Sequence, residues 1–225
     1  MVPLRILSLA SLVALVFVGS GGEARAQDPT PHAVVPLKDA PSDGIERVWG
    51  DPSKPGEPFV IRIHRDAGHI VLPHTHPVDE NIAVVKGTWS LGMGRRFSQA
   101  DLVPMELGAF GFAPKGMAHF AWSKTATIIQ VHGIGPFSIE FVDPVYELTD
   151  TGVLVRTSLS QPGVPASSTP ADCFGLRMGA QVRGGAGEGI VVGALCSPAN
   201  RLSLYWVKKP TGERFWAPPQ ELTAP

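Results

Sequence analysis

The stretch Gly68-His69-Ile70-Val71-Leu72-Pro73-His74-Thr75-His76-Pro77-Val78-Asp79-Glu80 decides how this sequence is read, together with the next glycine, Gly87. Side chains alternate across a strand, so His74 and His76 are expected on one face. Pro73 and Pro77 bracket the pair, which favours extended backbone and argues against a helix. Glu80 opens the apolar run Ile82–Val85, and Gly87 permits a turn before Thr88–Leu91. A second block holds Gly108, Pro114-Lys115-Gly116 and His119. A barrel would gather His74, His76 and Glu80 from adjacent strands, with His119 entering from a strand further round. Three imidazoles and one carboxylate suit a divalent first-row metal and leave coordination positions open for water or substrate. The competing reading is surface or core histidines with no metal. A lone histidine would favour it; this spacing, with its flanking glycines, does not.

The two blocks resemble the pair of motifs that define the cupins, with nine of the ten fixed positions present and Ser123 where the family pattern has Asn. The resemblance covers roughly residues 45 to 145. It implies an all-β cupin double-stranded β-helix, a jelly-roll barrel. It also implies one divalent metal ion per barrel (Fe, Mn, Zn, Ni, Co or Cu) on His74, His76, Glu80 and His119. Cupins frequently pair barrels through edge strands, so the resemblance further implies a homodimer.

Upstream, Arg5 precedes the uncharged apolar stretch Ile6–Val18, and Ala24-Arg25-Ala26 follows a run of small residues. That is the order of a secretory signal peptide over residues 1–26. A membrane anchor is the competing reading, but the apolar run is short against a span of about 20 residues. The expectation is export, to the periplasm if the host is Gram-negative, with no membrane span after signal cleavage. Cleavage would remove Arg5, Arg25 and Glu23 from totals of 19 basic and 20 acidic residues, leaving 17 and 19. Such a near-neutral chain gives no electrostatic argument for nucleic acid or an anionic membrane as partner.

The remaining chain reads as strands with Gly and Pro between them. Residues 27–155 read as the cupin domain with an N-terminal arm. Its expected strands include Phe59–Arg65, Ile70–Pro73, Phe110–Ala113, Ala118–Trp122, Thr127–His132 and Phe137–Val142. Asn81–Lys86 and Thr88–Met93 are expected to form a hairpin around Gly87. Residues 156–171, rich in Ser, Pro, Gly and Thr, read as a semi-extended linker. Residues 172–225 recover strand character and loosely resemble a small SH3-like β-barrel. The alternative is a strand-rich tail that packs on the barrel. Cys173 and Cys196 are the only cysteines. Export favours a disulfide, which needs their Cα atoms within about 7 Å, against two buried free thiols.

Gly184–Gly189 lacks the Gly-Lys-Ser/Thr of a phosphate loop, and no Gly-x-Ser-x-Gly elbow is present. The candidate pocket residues are Arg62, His64, Trp89, Met93, Phe110, Phe112, Gln130 and His132. Strand alternation admits about half of them. His64 and His132 are candidate acid–base groups, against the plainer reading as structural histidines. The leading functional expectation is a metal-dependent oxidoreductase of dioxygenase type acting on a small organic molecule. The alternative is a protein that binds or senses a small ligand or metal without turnover, its C-terminal module engaging a partner. A purely structural metal is the least favoured, since closed sites lack an open position.

Overall fold

The computed structural model describes residues 34–37, 44–156 and 173–225. The expected signal peptide, most of the arm and residues 157–171 of the expected linker lie outside these. The described residues are all-β. In chain order the first strands are β1 (Gly44–Trp49), β2 (Pro58–Arg65), β3 (His69–Thr75), β4 (Glu80–Lys86), β5 (Trp89–Met93), β6 (Val103–Met105), β7 (Phe110–Ala113), β8 (His119–Ser123), β9 (Thr127–Ile134) and β10 (Glu140–Phe141). There follow β11 (Val145–Thr149), β12 (Gly152–Arg156), β13 (Gln181–Gly184), β14 (Gly187–Ser197), β15 (Leu202–Lys208) and β16 (Arg214–Ala217).

Two antiparallel five-stranded sheets make the barrel, in the orders β1-β2-β9-β4-β7 and β10-β3-β8-β5-β6. The chain alternates between them, which is the double-stranded β-helix. Phe59 and Ile61 on β2, Ile82 and Val84 on β4, Trp89 and Leu91 on β5, and Ile129 and Val131 on β9 meet between the sheets as one buried core. Burying each such side chain contributes about 1.5–3 kcal/mol, so the period-2 apolar phase fixes which face of every strand points inward.

This topology corrects three local expectations. The segments flanking Gly87 do not form a hairpin: β4 pairs with β7 and β9, whereas β5 pairs with β6 and β8. At Gly87 (φ +74°) the chain crosses between sheets, where a Cβ would lie 2.4 Å from the Ala126 carbonyl oxygen. Phe137–Val142 is not a full strand, because only Glu140 and Phe141 pair, with Thr75 and His74. Finally, β1 pairs along β2 from Gly44↔His64 to Trp49↔Val60, in a region with no strand expected.

A third sheet, in the order β12-β11-β14-β15-β16 with β13 on β14, contains the C-terminal strands. The expected first domain runs to residue 155, yet β11 and β12 belong here, because Tyr146↔Cys196 and Glu147↔Leu195 pair β11 with β14. The sheet has its own buried core of Val182, Val191, Tyr205, Val207 and Phe215. It also packs on the barrel. Ile70 and Leu72, on the outward face of β3, join Val145, Leu195 and Leu204 in a second buried cluster. Backbone contacts fasten the turn between β2 and β3 to this sheet: Trp216 N–H donates to the Ala67 carbonyl at 2.8 Å, and Ala67 bridges Phe215. The indole Nε1–H of Trp206 donates to Asp66 Oδ2 at 2.8 Å. Cys173 and Cys196 form a disulfide with Cα atoms 5.4 Å apart, which excludes the free-thiol alternative.

Candidate metal centre

His74 comes from the end of β3, and His119 opens β8. These are directly paired strands, with His74 opposite His119. His119 therefore sits beside His74 rather than further round the barrel. His76 lies one residue beyond β3, and Glu80 opens β4 on the opposite sheet, so the group is assembled across the barrel. A register irregularity between Val71 and His74 shifts the side-chain phase. It lets Leu72 face the third sheet while His74 turns into the barrel. The second motif is fastened to the first: Gly116 N–H donates to the His76 carbonyl at 2.9 Å and Lys115 N–H to Asp79 Oδ1 at 2.7 Å.

All four side chains are buried. Every imidazole is oriented by a backbone carbonyl. The Nδ1–H of His74 donates to Leu72 O at 2.7 Å, that of His76 to Ser138 O at 2.6 Å, and that of His119 to Met117 O at 3.1 Å. Phe137 stacks on the His76 ring, centroids 4.4 Å apart. With Nδ1 carrying the proton, each neutral ring presents a bare Nε2 lone pair. One ligand atom from each of the three histidines lies within 4.8 Å of the others. Glu80 Oε2 is 3.1 Å from His119 Nε2 and 3.4 Å from His76 Nε2.

Burial, reinforced by the neighbouring His119 and His76, pushes the His74 imidazole down to about 3, so this ring is neutral. Burial alone would raise the Glu80 carboxyl. The close approach of the His119 and His76 rings outweighs it and brings Glu80 down to about 2. The His76 contact nevertheless lacks hydrogen-bond direction, and Glu80 Oε2 and His76 Nε2 are both buried without a hydrogen-bond partner. Neutral rings would set acceptor against acceptor here, an arrangement that costs free energy unless a cation stands between them. The donor set thus fits a divalent metal ion, and the carbonyl acceptors on Nδ1 are the outer partners that metal-binding imidazoles ordinarily have.

The cluster opens on a cavity of about 710 Å³. Of the eight candidate pocket residues, only Trp89 lines it. On β2 and β9 it is Ile61, Ile63 and Ile129 that face inward. Arg62 and His64 lie on the outward face near Glu46, at 3.9 and 3.6 Å. Gln130 and His132 share that outward phase, with Asn81 Nδ2 donating to the His132 carbonyl. Met93, Phe110 and Phe112 are exposed. The candidates were the chemically versatile residues, whereas a barrel interior selects the apolar phase of each strand. Phe137 and the Ser138 carbonyl were missed altogether, since no spacing signals a loop that folds back onto His76.

Fold and site together define a cupin-type double-stranded β-helix with a buried histidine cluster able to hold a metal ion. No protein-family model matches the sequence, and no curated protein does. Among solved structures, the chain is similar to an RmlC-like cupin protein from Desulfovibrio desulfuricans, with 20% identity over 47% of this chain and 98% of that one, TM-score 0.37. It is also similar to an uncharacterised conserved protein with a double-stranded β-helix domain from Klebsiella pneumoniae, at 19% identity, 47% and 87% coverage, TM-score 0.34. A third is salicylate 1,2-dioxygenase from Pseudoaminobacter salicylatoxidans, at 13% identity over 47% of this chain and 30% of that one, TM-score 0.36.

Proposed function

We propose that this protein is an exported, metal-dependent oxidoreductase of dioxygenase type acting on a small organic molecule, with one divalent ion held by His74, His76, Glu80 and His119. The observation that carries the reading is the set of three Nδ1–H···O=C bonds. They leave three Nε2 atoms free to hold an ion, beside the buried Glu80 oxygen that has no hydrogen-bond partner and a largely apolar cavity. When bound, the ion supplies Lewis acidity and, if redox-active, electrons for a reaction with dioxygen. The chain's own part is to orient the rings through backbone carbonyls, hold Glu80 ionised, and surround the organic substrate with Ile61, Ile82, Leu91 and Ile129. Export is supported by the Cys173–Cys196 disulfide, which suits an oxidising compartment.

Metal analysis of the purified protein tests the first step. Roughly one equivalent of a divalent ion is expected, lost in His76→Ala and Glu80→Ala. No metal after reconstitution would sink the proposal. Oxygen uptake with a panel of phenolic and diketone substrates tests the reaction. One observation favours ligand holding without turnover: the candidate acid–base groups His64 and His132 both lie away from the cavity. Metal-loaded protein that consumes no oxygen yet is thermally stabilised by small ligands would establish that second reading.

A further inference from the structure

We propose that the third sheet is a wall of the ligand site, and that Trp206 and Leu148 select an elongated, mostly aliphatic molecule whose polar head lies at the histidine cluster. This rests on the reading of the barrel as a small-molecule site. The cavity that touches His74, His76 and His119 is also bounded by Leu148 on β11, Gly193 and Ala194 on β14, and Trp206 on β15. It runs along β3, because both His74 and His69 line it. Those positions are five residues apart, about 17 Å at the rise of a strand. At the far end the His69 ring meets the edge of Trp216, centroids 5.0 Å apart. The volume of about 710 Å³ suits an organic molecule of drug-like size rather than a diatomic or a one-carbon acid.

Trp206 is built as a fixed surface. Its Nε1–H is held by Asp66 Oδ2 at 2.8 Å. Trp216 stacks beside it at 5.7 Å and 8°, and the Arg214 guanidinium lies 5.0 Å from its ring centre. Opposite Trp206 in the strand pairing is Gly193, where a Cβ would lie 3.2 Å from the indole Cε3. The glycine leaves the indole room to lie where it does. An aromatic side chain with its polar edge satisfied and its position fixed from three sides loses little freedom on contacting a ligand. Along the barrel the lining is aliphatic, with Ile61, Ile63, Val71, Ile82, Leu91 and Ile129. An alkyl body fits that lining, and an anionic oxygen head fits the metal-binding end.

The test is a chain-length series of saturated carboxylates, hexanoate to dodecanoate, titrated calorimetrically into zinc-loaded and chelator-treated protein. Each methylene buried in the cavity should tighten binding up to about fourfold. Wild type should therefore bind dodecanoate at least 100-fold more tightly than hexanoate. Trp206→Ala should weaken dodecanoate at least tenfold and leave hexanoate within twofold. Leu148→Ala, which leaves the Trp206 anchors in place, should weaken dodecanoate about fivefold with the same indifference to hexanoate. A merely structural role would weaken both ligands together. Equal losses for both acids, a flat chain-length series, or unchanged dodecanoate binding in both variants would overturn the proposal. Failure of the metal reading shows separately, as loss of the zinc-dependent factor common to all chain lengths while the Trp206-dependent slope survives.

Discussion

Gly68 is the first glycine of the histidine motif, and replacing it with alanine should detach the third sheet from the barrel. Its φ is +81°, a conformation that costs a residue with a Cβ about 1–2 kcal/mol. A Cβ there would also stand 2.4 Å from the Trp216 carbonyl oxygen and 3.2 Å from its carbon. Those atoms belong to the backbone of β16 and cannot swing aside. The strand must shift, at the expense of the 2.8 Å bond from Trp216 N–H to the Ala67 carbonyl, worth about 1 kcal/mol, and of packing around it. The expected loss is about 2–4 kcal/mol. Gly56 is the control, because its φ is +76° and a Cβ there would meet nothing within 4 Å. Gly56→Ala should cost only the conformational part, about 1–2 kcal/mol. For a chain of this size 1 kcal/mol moves the melting midpoint by about 2–4 °C. Thermal melts followed by near-ultraviolet circular dichroism of the tryptophans should place Gly68→Ala several degrees below Gly56→Ala, with an altered Trp206/Trp216 signal. Equal melting points and an unchanged aromatic signal would refute the close-approach argument.

Reducing the Cys173–Cys196 disulfide, which spans 23 residues, should cost about 3 kcal/mol by loop-closure entropy, measured as a lower urea midpoint in reductant. A loss below about 1 kcal/mol would show that the bridge constrains little. Ser123 is fully buried, and its hydroxyl donates to the Asp66 carbonyl at 2.7 Å with the His69 carbonyl at 3.3 Å. Ser123→Ala should therefore destabilise by about 1–3 kcal/mol and loosen the same turn, seen as faster amide exchange at Gly68. Stripping metal with a chelator should lower the melting temperature and restore it on adding back a divalent ion at 100 times its dissociation constant, a gain of about 3 kcal/mol. Glu80→Gln should abolish that gain, and a full gain in the variant would remove Glu80 from the ligand set.

Much of this arrangement was legible in the order of residues. The period-2 apolar pattern of Phe59, Ile61 and Ile63 announces a strand and its inward face. The resemblance to two motifs groups His74, His76, Glu80 and His119, and these side chains do approach one another, with His119 brought in by the pairing of β3 with β8. What stayed hidden depends on segments far apart in the chain. The stretch Val145–Val155 reads as a continuation of the barrel, yet its first strand, β11, pairs with β14, where Tyr146 meets Cys196, fifty residues on. Ser123 looks like a lapse from a motif until its hydroxyl is seen holding the turn on which the third sheet rests.

The sequence by itself determined the all-β class, the extended backbone that carries His74 and His76, and the glycines at which the chain must turn. Each of those follows from local chemistry: strand alternation, proline restriction, and the freedom of a residue without a Cβ. Only the tertiary structure decided which sheet each strand joins, that Nδ1 of every clustered histidine is taken by a carbonyl, and that Gly68 is pressed by Trp216. It also decided that the cavity has a wall from the C-terminal strands. Long-range pairing is settled by how complementary faces bury one another, and no spacing within a single strand encodes its partner.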